Sequence, residues 1–376
     1  MENGKTLLIT GAGGIGRAAA LMLLEWADFP VARVYLVDRD PGQLRDALAS
    51  LGDDPRAVSV LTTEAGISDP DNKELADAFA DADVVLDCLP GGLAPKVARR
   101  ALDAGCHYAN LTEYVAETNE IEAMAEGAPV GFVLQTGLAP GFINVLAMRL
   151  YRDFVAAYGE GVTGIAMKVG ALSQDAPPPH FYAFTWSEVG VATEYVMPSI
   201  AIRDGRKQEI PSLSERETLE IEGKPYEADL TSGGAANLPD YFNGKVDRVD
   251  YKTLRYPGHY AWVDGVLDEV GRGDPAALEA RMRAEVPRAE DDVVVIHAAV
   301  SGHDAEGNPQ EMSRSYVIPP TQIGGTTLRA IQSTTASALV ESAKLLLESG
   351  KTGIILQTDI DPDPFMNGVF VGKVYR

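Results

Sequence analysis

Three glycines near the start of the chain, Gly11, Gly13 and Gly16, constrain its fold more than any other feature. They lie between an apolar run, Lys5–Thr10, and an Ala/Leu-rich run with helical character, Arg17–Glu25. Such a Gly-x-Gly-x-x-Gly turn between a strand and a helix is typical of dinucleotide-binding folds, where the N–H groups of the helix N-terminus hold the pyrophosphate. The predicted cofactor contacts in this turn are Gly11, Gly13, Gly14, Ile15 and Gly16.

The residue after the next apolar run bears on which dinucleotide is bound. Asp38 follows Val34–Val37 and lies 22 residues after Gly16. A carboxylate here hydrogen-bonds the ribose 2′-hydroxyl and repels a 2′-phosphate, which favours NAD. Arg39 could instead cover a 2′-phosphate, and Asp38 could simply open the Asp38–Pro41 turn. We expect NAD or NADP, with NAD favoured and with Asp38 and Arg39 as contacts.

Strand and helix patterns alternate through the first 138 residues. This rhythm is typical of a parallel, doubly wound sheet, so we predict an α/β fold of the Rossmann type here. The fourth predicted strand, Val84–Cys88, leads into a Leu89–Gly92 loop at the carboxyl edge of the sheet, where such folds hold the nicotinamide ribose. Cys88, Leu89 and Pro90 therefore join the predicted cofactor contacts. Strands are predicted over residues 5–10, 34–37, 57–61, 84–88, 105–110 and 130–135, and helices over 41–50, 71–80, 94–104 and 117–126.

The middle of the chain, residues 139–324, loses this alternation. Its strand patterns are separated by Gly, Pro, Asp and Asn turns, and the Asp-Gly pair in Arg203–Arg206 is a strong hairpin signal. We predict an α+β second domain with an open, mostly antiparallel sheet. An amphipathic helix pattern at Thr334–Leu347 is expected to return to the first domain, which then comprises 1–138 and 325–376. Strands of the second domain are predicted over 164–170, 200–203, 210–213, 251–256 and 293–301.

Composition excludes several classes of function. The chain has 376 residues and a formal net charge of −23, which disfavours nucleic acid and anionic membrane as partners. It has no apolar run long enough to span a bilayer, and its Met-Glu-Asn-Gly-Lys start does not resemble a signal peptide. The two cysteines, Cys88 and Cys106, form no disulfide framework, and we expect buried, reduced thiols. These features predict a cytoplasmic protein.

Metal and nucleophile chemistry find no support in the motifs. The sequence has no His-x-x-x-His, no Cys-x-x-Cys and no Gly-x-Ser-x-Gly pattern. We therefore predict no metal site.

Five segments of the chain carry a family resemblance. They are Gly137–Asn144, Phe184–Gly190, Ile202–Ser214, Thr231–Gly234 and Tyr251–His259. Together they resemble the saccharopine dehydrogenase-like family of NAD(P)-dependent oxidoreductases, and the later segments are most similar to lysine 6-dehydrogenases. The resemblance implies a second domain for substrate binding and dimerisation, hence a homodimer. It also implies redox chemistry at a nitrogen-bearing carbon of an amino-acid substrate.

One segment departs from the family pattern. After the fifth strand the family has Tyr-x-Asp, whereas this chain has Tyr108-Ala-Asn110, followed by Glu113. The resemblance gives the acid a role with the substrate amine or a proton, and Glu113 could take that role. Tyr108 and Glu113 are thus candidate catalytic residues, and Asn110 is a candidate substrate contact. An N-terminal helix cap is the alternative for Asn110 and Glu113.

The Tyr251–His259 segment supplies two further candidates. Arg255 offers a planar guanidinium that can bind a substrate carboxylate with two hydrogen bonds. His259 belongs to the residue type that titrates near neutrality, as proton transfer at nitrogen requires. The alternatives are that Arg255 pairs with Asp250 or Glu194, and that His259 is a hydrogen-bonded turn residue.

Three smaller candidates lie elsewhere in the second domain. Trp186 and Ser187 could stack on the substrate or hydrogen-bond to it, or Ser187 could cap a helix while Trp186 packs in the core. Ser232 lies in a Thr-Ser-Gly-Gly turn whose amides and hydroxyls suit a carboxylate.

The sequence leaves the substrate open. We expect an oxidoreductase acting on the C–N bond of lysine or of a lysine-derived imine or saccharopine-type adduct. The alternatives are reductive condensation on a diamine, as in carboxynorspermidine synthases, and a sensor that binds dinucleotide without turnover.

Overall fold

The structure is a computed structural model that describes residues 4–63, 66–113 and 115–376. It divides into two compact units, the first comprising residues 1–141, 321–328 and 332–376, and the second residues 142–320 and 329–331. The first three residues, on which the signal-peptide expectation partly rests, lie outside the described residues. No helix among the described residues is long and apolar enough to cross a membrane.

The first unit begins with strands and helices in strict alternation. These elements are β1 Lys5–Thr10, α1 Gly14–Trp26, β2 Val31–Asp38, α2 Pro41–Ser50, β3 Ala57–Leu61, α3 Lys73–Asp81, β4 Val84–Asp87, α4 Ala94–Ala104, β5 His107–Asn110, α5 Val115–Ala125 and β6 Gly131–Val133. Helix starts follow capping chemistry. The Asp40 side chain accepts from the Gly42 N–H at α2, and the Asn72 side chain accepts from the Leu75 N–H at α3.

The second unit consists mainly of longer strands with four helices of nine or more residues. Its elements are α6 Phe142–Tyr158, β7 Val162–Ser173, α7 Glu188–Val196, β8 Ser199–Arg203, β9 Arg206–Ile210, β10 Glu217–Ile221, β11 Lys224–Leu230, α8 Leu238–Phe242, β12 Arg248–Arg255, α9 His259–Val270, α10 Pro275–Glu285, β13 Asp292–His303 and β14 Pro309–Ile318.

The remaining elements follow the second unit in the chain. They are β15 Thr321–Ile323, β16 Thr326–Leu328, α11 Ala330–Ser349, β17 Gly353–Ile355, α12 Pro362–Met366 and α13 Val371–Val374. Strand β17 pairs in parallel with β6, so the C-terminal segment adds the last strand to the sheet of the first unit.

The first unit contains a seven-stranded sheet in the order β17-β6-β5-β4-β1-β2-β3, and every pair in it is parallel. The chain reverses its direction of travel across the sheet at β1, so the carboxyl ends of β1 and β4 form the crevice in which such folds bind ligands. The predicted doubly wound Rossmann sheet is confirmed.

The second unit contains an eight-stranded mixed sheet. Its main path runs β10-β11-β12-β7-β13-β14, with β8 pairing to β12 and to β9. Only the β12–β7 pair is parallel, so the predicted α+β fold with a mostly antiparallel sheet is confirmed. Helix α6 packs on one face, where the Asn144 amide lies 3.4 Å from the sulfur of Met167 in β7.

One predicted strand is wrong. Residues 210–213 do not form a strand, because the return strand of the hairpin is β9 and ends at Ile210. The Asp-Gly turn is present as predicted, with positive φ at Asp204 and Gly205 and with Arg203 opposite Arg206. Such a two-residue turn starts the return strand at once, and Pro211 has no N–H with which to extend it.

Candidate dinucleotide site and a buried arginine cluster

Two of the three glycines in the first turn are required by close backbone approach. Gly11 has φ +89°, and a Cβ atom on it would lie 2.9 Å from the carbonyl oxygen of Cys88. A Cβ on Gly16 would lie 1.9 Å from the Gly11 carbonyl oxygen, well inside van der Waals contact. The Gly11 N–H also donates to the Val37 carbonyl at 2.8 Å, which fixes the turn to β2. Side chains at Gly11 or Gly16 would therefore break the turn itself.

Gly13 is different, because nothing surrounds it. A Cβ atom there would meet no atom within 4 Å, and its φ of −68° suits any residue. Gly13 is the N-cap of α1 and carries no capping side chain, so the first N–H groups of the helix are left for another acceptor. Open space above an uncapped helix N-terminus fits the pyrophosphate of a dinucleotide.

Asp38 is attached to the same turn. Its Oδ2 accepts from the Ala12 N–H at 2.8 Å, and its Oδ1 accepts from the Asp40 N–H at 3.0 Å. The carboxylate is only partly buried, so lone pairs remain for ribose hydroxyls. The neighbouring Arg39 is exposed and lines a cleft with Asp40, Pro41, Thr62 and Thr63. The end of β2 thus presents both the carboxylate and the guanidinium that the sequence predicts.

The loop after β4 is held by a buried carboxylate that sequence analysis did not single out. Asp87 accepts from the Thr10 hydroxyl at 2.7 Å, the Tyr108 hydroxyl at 2.8 Å and the Leu89 N–H at 3.1 Å. It therefore ties β1, β5 and the loop together at the carboxyl edge of the sheet. Burial raises the pKa of Asp87 to about 6. The signal in the sequence was an acid ending the apolar run Val84–Leu86.

Within this loop, Cys88 and Leu89 are partly buried and Pro90 is exposed. Burial raises the pKa of the Cys88 thiol, so it stays protonated near neutrality. Cys88 and Cys106 are both free. Cys106 is buried as expected, whereas Cys88 is only partly buried, because it lies where the chain leaves the sheet.

Asp87 makes the stability of the fold depend on pH. Its pKa is about 6 in the folded chain against an ordinary 3.8, so the folded state favours the protonated carboxyl. Stability from this group is complete below about pH 4 and is lost as pH rises through 6, by about 3 kcal/mol at 1.36 kcal/mol per pKa unit. The variant Asp87→Asn keeps an oxygen acceptor for Leu89 and does not titrate. We expect its free energy of unfolding, relative to wild type, to rise between about pH 4 and pH 6.

Urea unfolding at several pH values measures this difference. Replacement of the exposed Asp46 by asparagine serves as the control for removal of a surface carboxylate. A difference for Asp87→Asn that does not change with pH would show that folding does not raise the pKa of Asp87.

The three candidate residues of the Tyr108–Glu113 segment, at the end of β5, differ in their surroundings. Tyr108 is fully buried, and its hydroxyl donates to Asp87, so it has a structural partner. The Asn110 Oδ1 accepts from the Gln135 N–H at 2.8 Å, which ties β5 to the end of β6. Glu113 is partly buried, and desolvation raises the pKa of its carboxyl. Of the three, only Glu113 carries a carboxyl group.

In the second unit, Arg255 and His259 lie in one buried cluster with Tyr195. Arg255, 1% exposed, donates from Nε to the Tyr195 hydroxyl and from an Nη to Glu194 at 3.0 Å. The Tyr195 hydroxyl donates to His259 Nε2 at 3.0 Å, because the single proton of the neutral imidazole is on Nδ1, which faces a carbonyl oxygen. The His259 Nδ1–H then donates to the His180 carbonyl at 2.7 Å. The Glu194 pairing, one of the two alternatives for Arg255, is present.

His259 does not titrate near neutrality. It is the first residue of α9 and is fully buried, and burial together with the Arg255 charge lowers its pKa to about 3. The expectation that it titrates in the working range is therefore wrong, because the sequence did not show how completely α9 buries it. A neutral imidazole with both nitrogens hydrogen-bonded can hold the cluster in place.

The three smaller candidates have local structural partners. The exposed Ser187 is the N-cap of α7, and its hydroxyl accepts from the Gly190 N–H at 3.1 Å. The Trp186 ring packs beside Gly190, where a Cβ atom would come within 2.4 Å of it. Ser232 is partly buried, and its N–H donates to the Glu194 carbonyl at 3.0 Å. The capping alternative for Ser187 is thus observed.

Within the described part of the chain, no group of three or more His, Cys, Asp or Glu side chains could hold a metal ion.

A parallel sheet with this glycine turn and an acid at the end of the second strand defines a Rossmann-type dinucleotide-binding protein. The saccharopine dehydrogenase NADP binding domain matches residues 7–131, and the saccharopine dehydrogenase C-terminal domain matches residues 137–369. The chain belongs to the saccharopine dehydrogenase family. It is therefore an oxidoreductase fold built to bind a nicotinamide dinucleotide.

The named relatives of the chain are consistent with its membership of this family. Alpha-aminoadipic semialdehyde synthase of Arabidopsis thaliana is 25% identical over 269 residues, which is 68% of this chain and 24% of that protein. The chain spans 14% to 24% of the length of the alpha-aminoadipic semialdehyde synthases it matches.

Two solved structures share the fold. Apo saccharopine dehydrogenase (L-Glu forming) from Saccharomyces cerevisiae matches with a TM-score of 0.76 and 17% identity, over 99% of this chain and 98% of that one. Homospermidine synthase from Legionella pneumophila in complex with NAD matches with a TM-score of 0.69 and 14% identity, over 99% and 90%.

Proposed function

We propose that the protein is an NAD(P)-dependent oxidoreductase that acts on the C–N bond of an amino acid, with lysine or a lysine-derived imine or saccharopine-type adduct as substrate. The observation that carries the proposal is the match of both parts of the chain to saccharopine dehydrogenase domains. The alpha-aminoadipic semialdehyde synthase relatives support a substrate of the same amino-acid class.

The chemistry requires a hydride acceptor, a proton acceptor and water. A bound nicotinamide would take the hydride from the carbon that bears nitrogen. In the oxidative direction the substrate ammonium first loses a proton, its lone pair forms the C=N bond as the hydride leaves, and water then hydrolyses the imine. The reverse reaction forms and protonates the imine before it is reduced. Either direction needs one protein group that exchanges a proton at nitrogen.

We assign that proton exchange to Glu113. The raised pKa of its carboxyl brings it nearer the working range, whereas His259, with a pKa of about 3, remains neutral. Asp38 and the glycine turn would hold the ribose and pyrophosphate of the cofactor. We assign Arg255 and His259 a positioning role, because their hydrogen bonds hold the Glu194 and Tyr195 side chains in place. Substrate contacts remain proposed for Asn110, Trp186, Ser187 and Ser232.

A spectrophotometric panel tests the proposal. NAD and NADP are each combined with lysine, saccharopine, ornithine or diamines, and the reverse reactions are run with reduced cofactor. Turnover with lysine alone would identify a deaminating dehydrogenase, and turnover that needs an amine plus a keto acid or aldehyde would identify a condensing reductase. Activity confined to diamines would favour the alternative function, reductive condensation on a diamine. The homospermidine synthase, which shares the fold, is consistent with this alternative. Cofactor binding without any turnover would contradict an enzyme for these substrates and favour a sensor.

Asp38 and Arg39 allow the cofactor preference to be tested directly. The variant Asp38→Asn keeps an oxygen acceptor for the Ala12 N–H but removes the charge that repels a 2′-phosphate. We expect the ratio of kcat/KM for NADP to that for NAD to rise about 10-fold, since a hydrogen bond to a charged group contributes about 1.5–3 kcal/mol. The variant Asp46→Asn, at an exposed position that does not line the Arg39 cleft, should leave the ratio unchanged. If Asp38→Asn has no effect and Arg39→Ser changes the ratio, Arg39 sets the preference.

The proposal also includes a homodimer in the cytoplasm. Sedimentation equilibrium of the purified chain, and fractionation of the source cells, would test these two parts.

A further inference from the structure

Four polar side chains form a row across four neighbouring strands of the second unit. Lys252 in β12 is in register with Lys168 in β7, Lys168 is opposite His297 in β13, and His297 is opposite Ser315 in β14. Residues in register on adjacent strands have Cβ atoms about 4.5–5.5 Å apart and point to the same face. The four side chains therefore share one face of the sheet. Because side chains alternate along a strand, this is the face opposite the one that carries Met167 and contacts α6.

The two lysines of this row are buried. Lys168 is 7% exposed and Lys252 is 3% exposed. Lysine is seldom buried to this degree unless its charge is paired. Two ammonium groups directly opposite each other also repel, which destabilises the sheet unless an anion lies between them.

One carboxylate oxygen serves both ammonium groups. The Oε1 atom of Glu217 lies 3.0 Å from Lys252 Nζ and 3.4 Å from Lys168 Nζ. Lys252 also donates to the Glu215 carbonyl. Glu217 supplies a single negative charge for two positive charges, and it is itself partly exposed at the edge of the pair.

Two further carboxylates on this side of the sheet form ion pairs with arginines. Glu215 and Asp250 each form ion pairs with both Arg203 and Arg248, at 2.6–2.9 Å. This four-residue network is neutral, with two arginines and two carboxylates. The group formed by Lys168, Lys252 and Glu217 thus carries one excess positive charge, in a chain whose net charge is −23.

His297 and Ser315 extend the row with neutral donors. The His297 Nδ1 lies 2.9 Å from the Ser315 hydroxyl. Burial and the Lys168 charge lower the pKa of His297, although Glu217 and the exposed Glu311 act in the opposite direction. A neutral imidazole carries one N–H, and Ser315 is exposed, so this end of the row is open to a ligand.

We propose that Lys168, Lys252, His297 and Ser315 form a binding site for a small carboxylate ligand. A carboxylate would supply the missing negative charge for the lysine pair and accept hydrogen bonds from groups that the sheet already places in a row. Its single charge matches the single excess positive charge of the cluster. The site is independent of the proposed redox function.

Proton NMR of the full chain, with acetate and succinate as probes, tests this site. The chain has five histidines, so the His297 C2 proton can be assigned by comparison with His297→Gln. We expect this resonance to shift saturably with either carboxylate but not with chloride at the same ionic strength. In Lys168→Gln the dissociation constant should rise at least about 10-fold, because a charge-assisted hydrogen bond is lost. Lys207→Gln, an exposed lysine paired with Asp240, should bind like wild type.

Three results of the NMR titrations would overturn the proposal, and a fourth result concerns the oligomeric state. The three are a shift that chloride reproduces, a shift that never saturates, and the same dissociation constant in Lys168→Gln and wild type. If Lys168→Gln fails to fold, calorimetry with succinate on wild type and His297→Gln decides the question, since binding must be present in the first and weakened in the second. A dimer in which no added carboxylate shifts His297 would equally contradict the site, since a second copy would then cover the row.

Discussion

Replacing Gly13 by valine is expected to weaken dinucleotide binding by at least about 100-fold while leaving the fold intact, because the added side chain would occupy the space where backbone N–H groups approach a pyrophosphate. No atom lies within 4 Å of a Cβ built at this position, and the backbone conformation suits any residue. The substitution therefore adds no strain to the free protein. Titration of NAD and NADP by fluorescence or calorimetry measures the loss, and thermal unfolding without cofactor should match wild type within a few degrees.

Two further glycine variants make this test specific. Gly273→Val adds the same side chain at another open position and should bind cofactor normally. Gly16→Ala places a Cβ 1.9 Å from the Gly11 carbonyl oxygen, so it should lower the melting temperature as well as the affinity. Normal affinity in Gly13→Val would place the pyrophosphate elsewhere and remove the basis for the assigned cofactor site.

Glu113→Gln is expected to lower kcat by about 100- to 1,000-fold, within the range typical for the loss of a general acid or base. Glutamine keeps the shape of the side chain and its hydrogen-bonding capacity but cannot exchange a proton. Cofactor affinity and thermal stability should change little. In the oxidative direction the ionised carboxylate is the active form, so wild-type activity should rise with pH through the raised pKa of Glu113, and this limb should be absent in the variant.

Glu120→Gln, an exposed position on the following helix α5, is the matched control and should retain full activity. If kcat is unchanged in Glu113→Gln, another group must carry out the proton transfer. A lower kcat with an unaltered pH profile would indicate that Glu113 positions the substrate instead.

The first sheet could be predicted because its information is local. The glycine turn, the alternation of apolar strands with amphipathic helices and the turn residues between them each lie within a few tens of residues. The second unit was harder, since β10, β11 and β14 contain charged and other polar residues among their apolar ones and were not predicted. Exposed positions in β10 and β14 weaken the apolar signal, and β11 buries two acids, Glu227 and Asp229. Cross-strand pairing still stabilises these strands.

The candidate site shows the same division. The predicted turn Gly11–Gly16 and Asp38 lie together because their spacing follows from one strand-helix-strand unit, β1-α1-β2. The roles of Arg255 and His259 depend on burial and on partners about 60 or more residues away, Glu194, Tyr195 and His180, which no local pattern shows. Asp87 was missed for a related reason, since its importance comes from three strands meeting at one carboxylate.

Transfer of deuterium from substrate to cofactor tests the central proposal most directly. The protein is incubated with NAD or NADP and with lysine or saccharopine that carries deuterium on the carbons bonded to the side-chain nitrogen, and the reduced cofactor is analysed by mass spectrometry. If the protein is the proposed C–N oxidoreductase, each reduced nicotinamide should carry one deuterium. The amount of labelled cofactor should be greatly diminished in Gly13→Val. Reduced cofactor without deuterium would contradict hydride transfer from this carbon, and bound cofactor that stays oxidised with both substrates would contradict the proposed reaction itself.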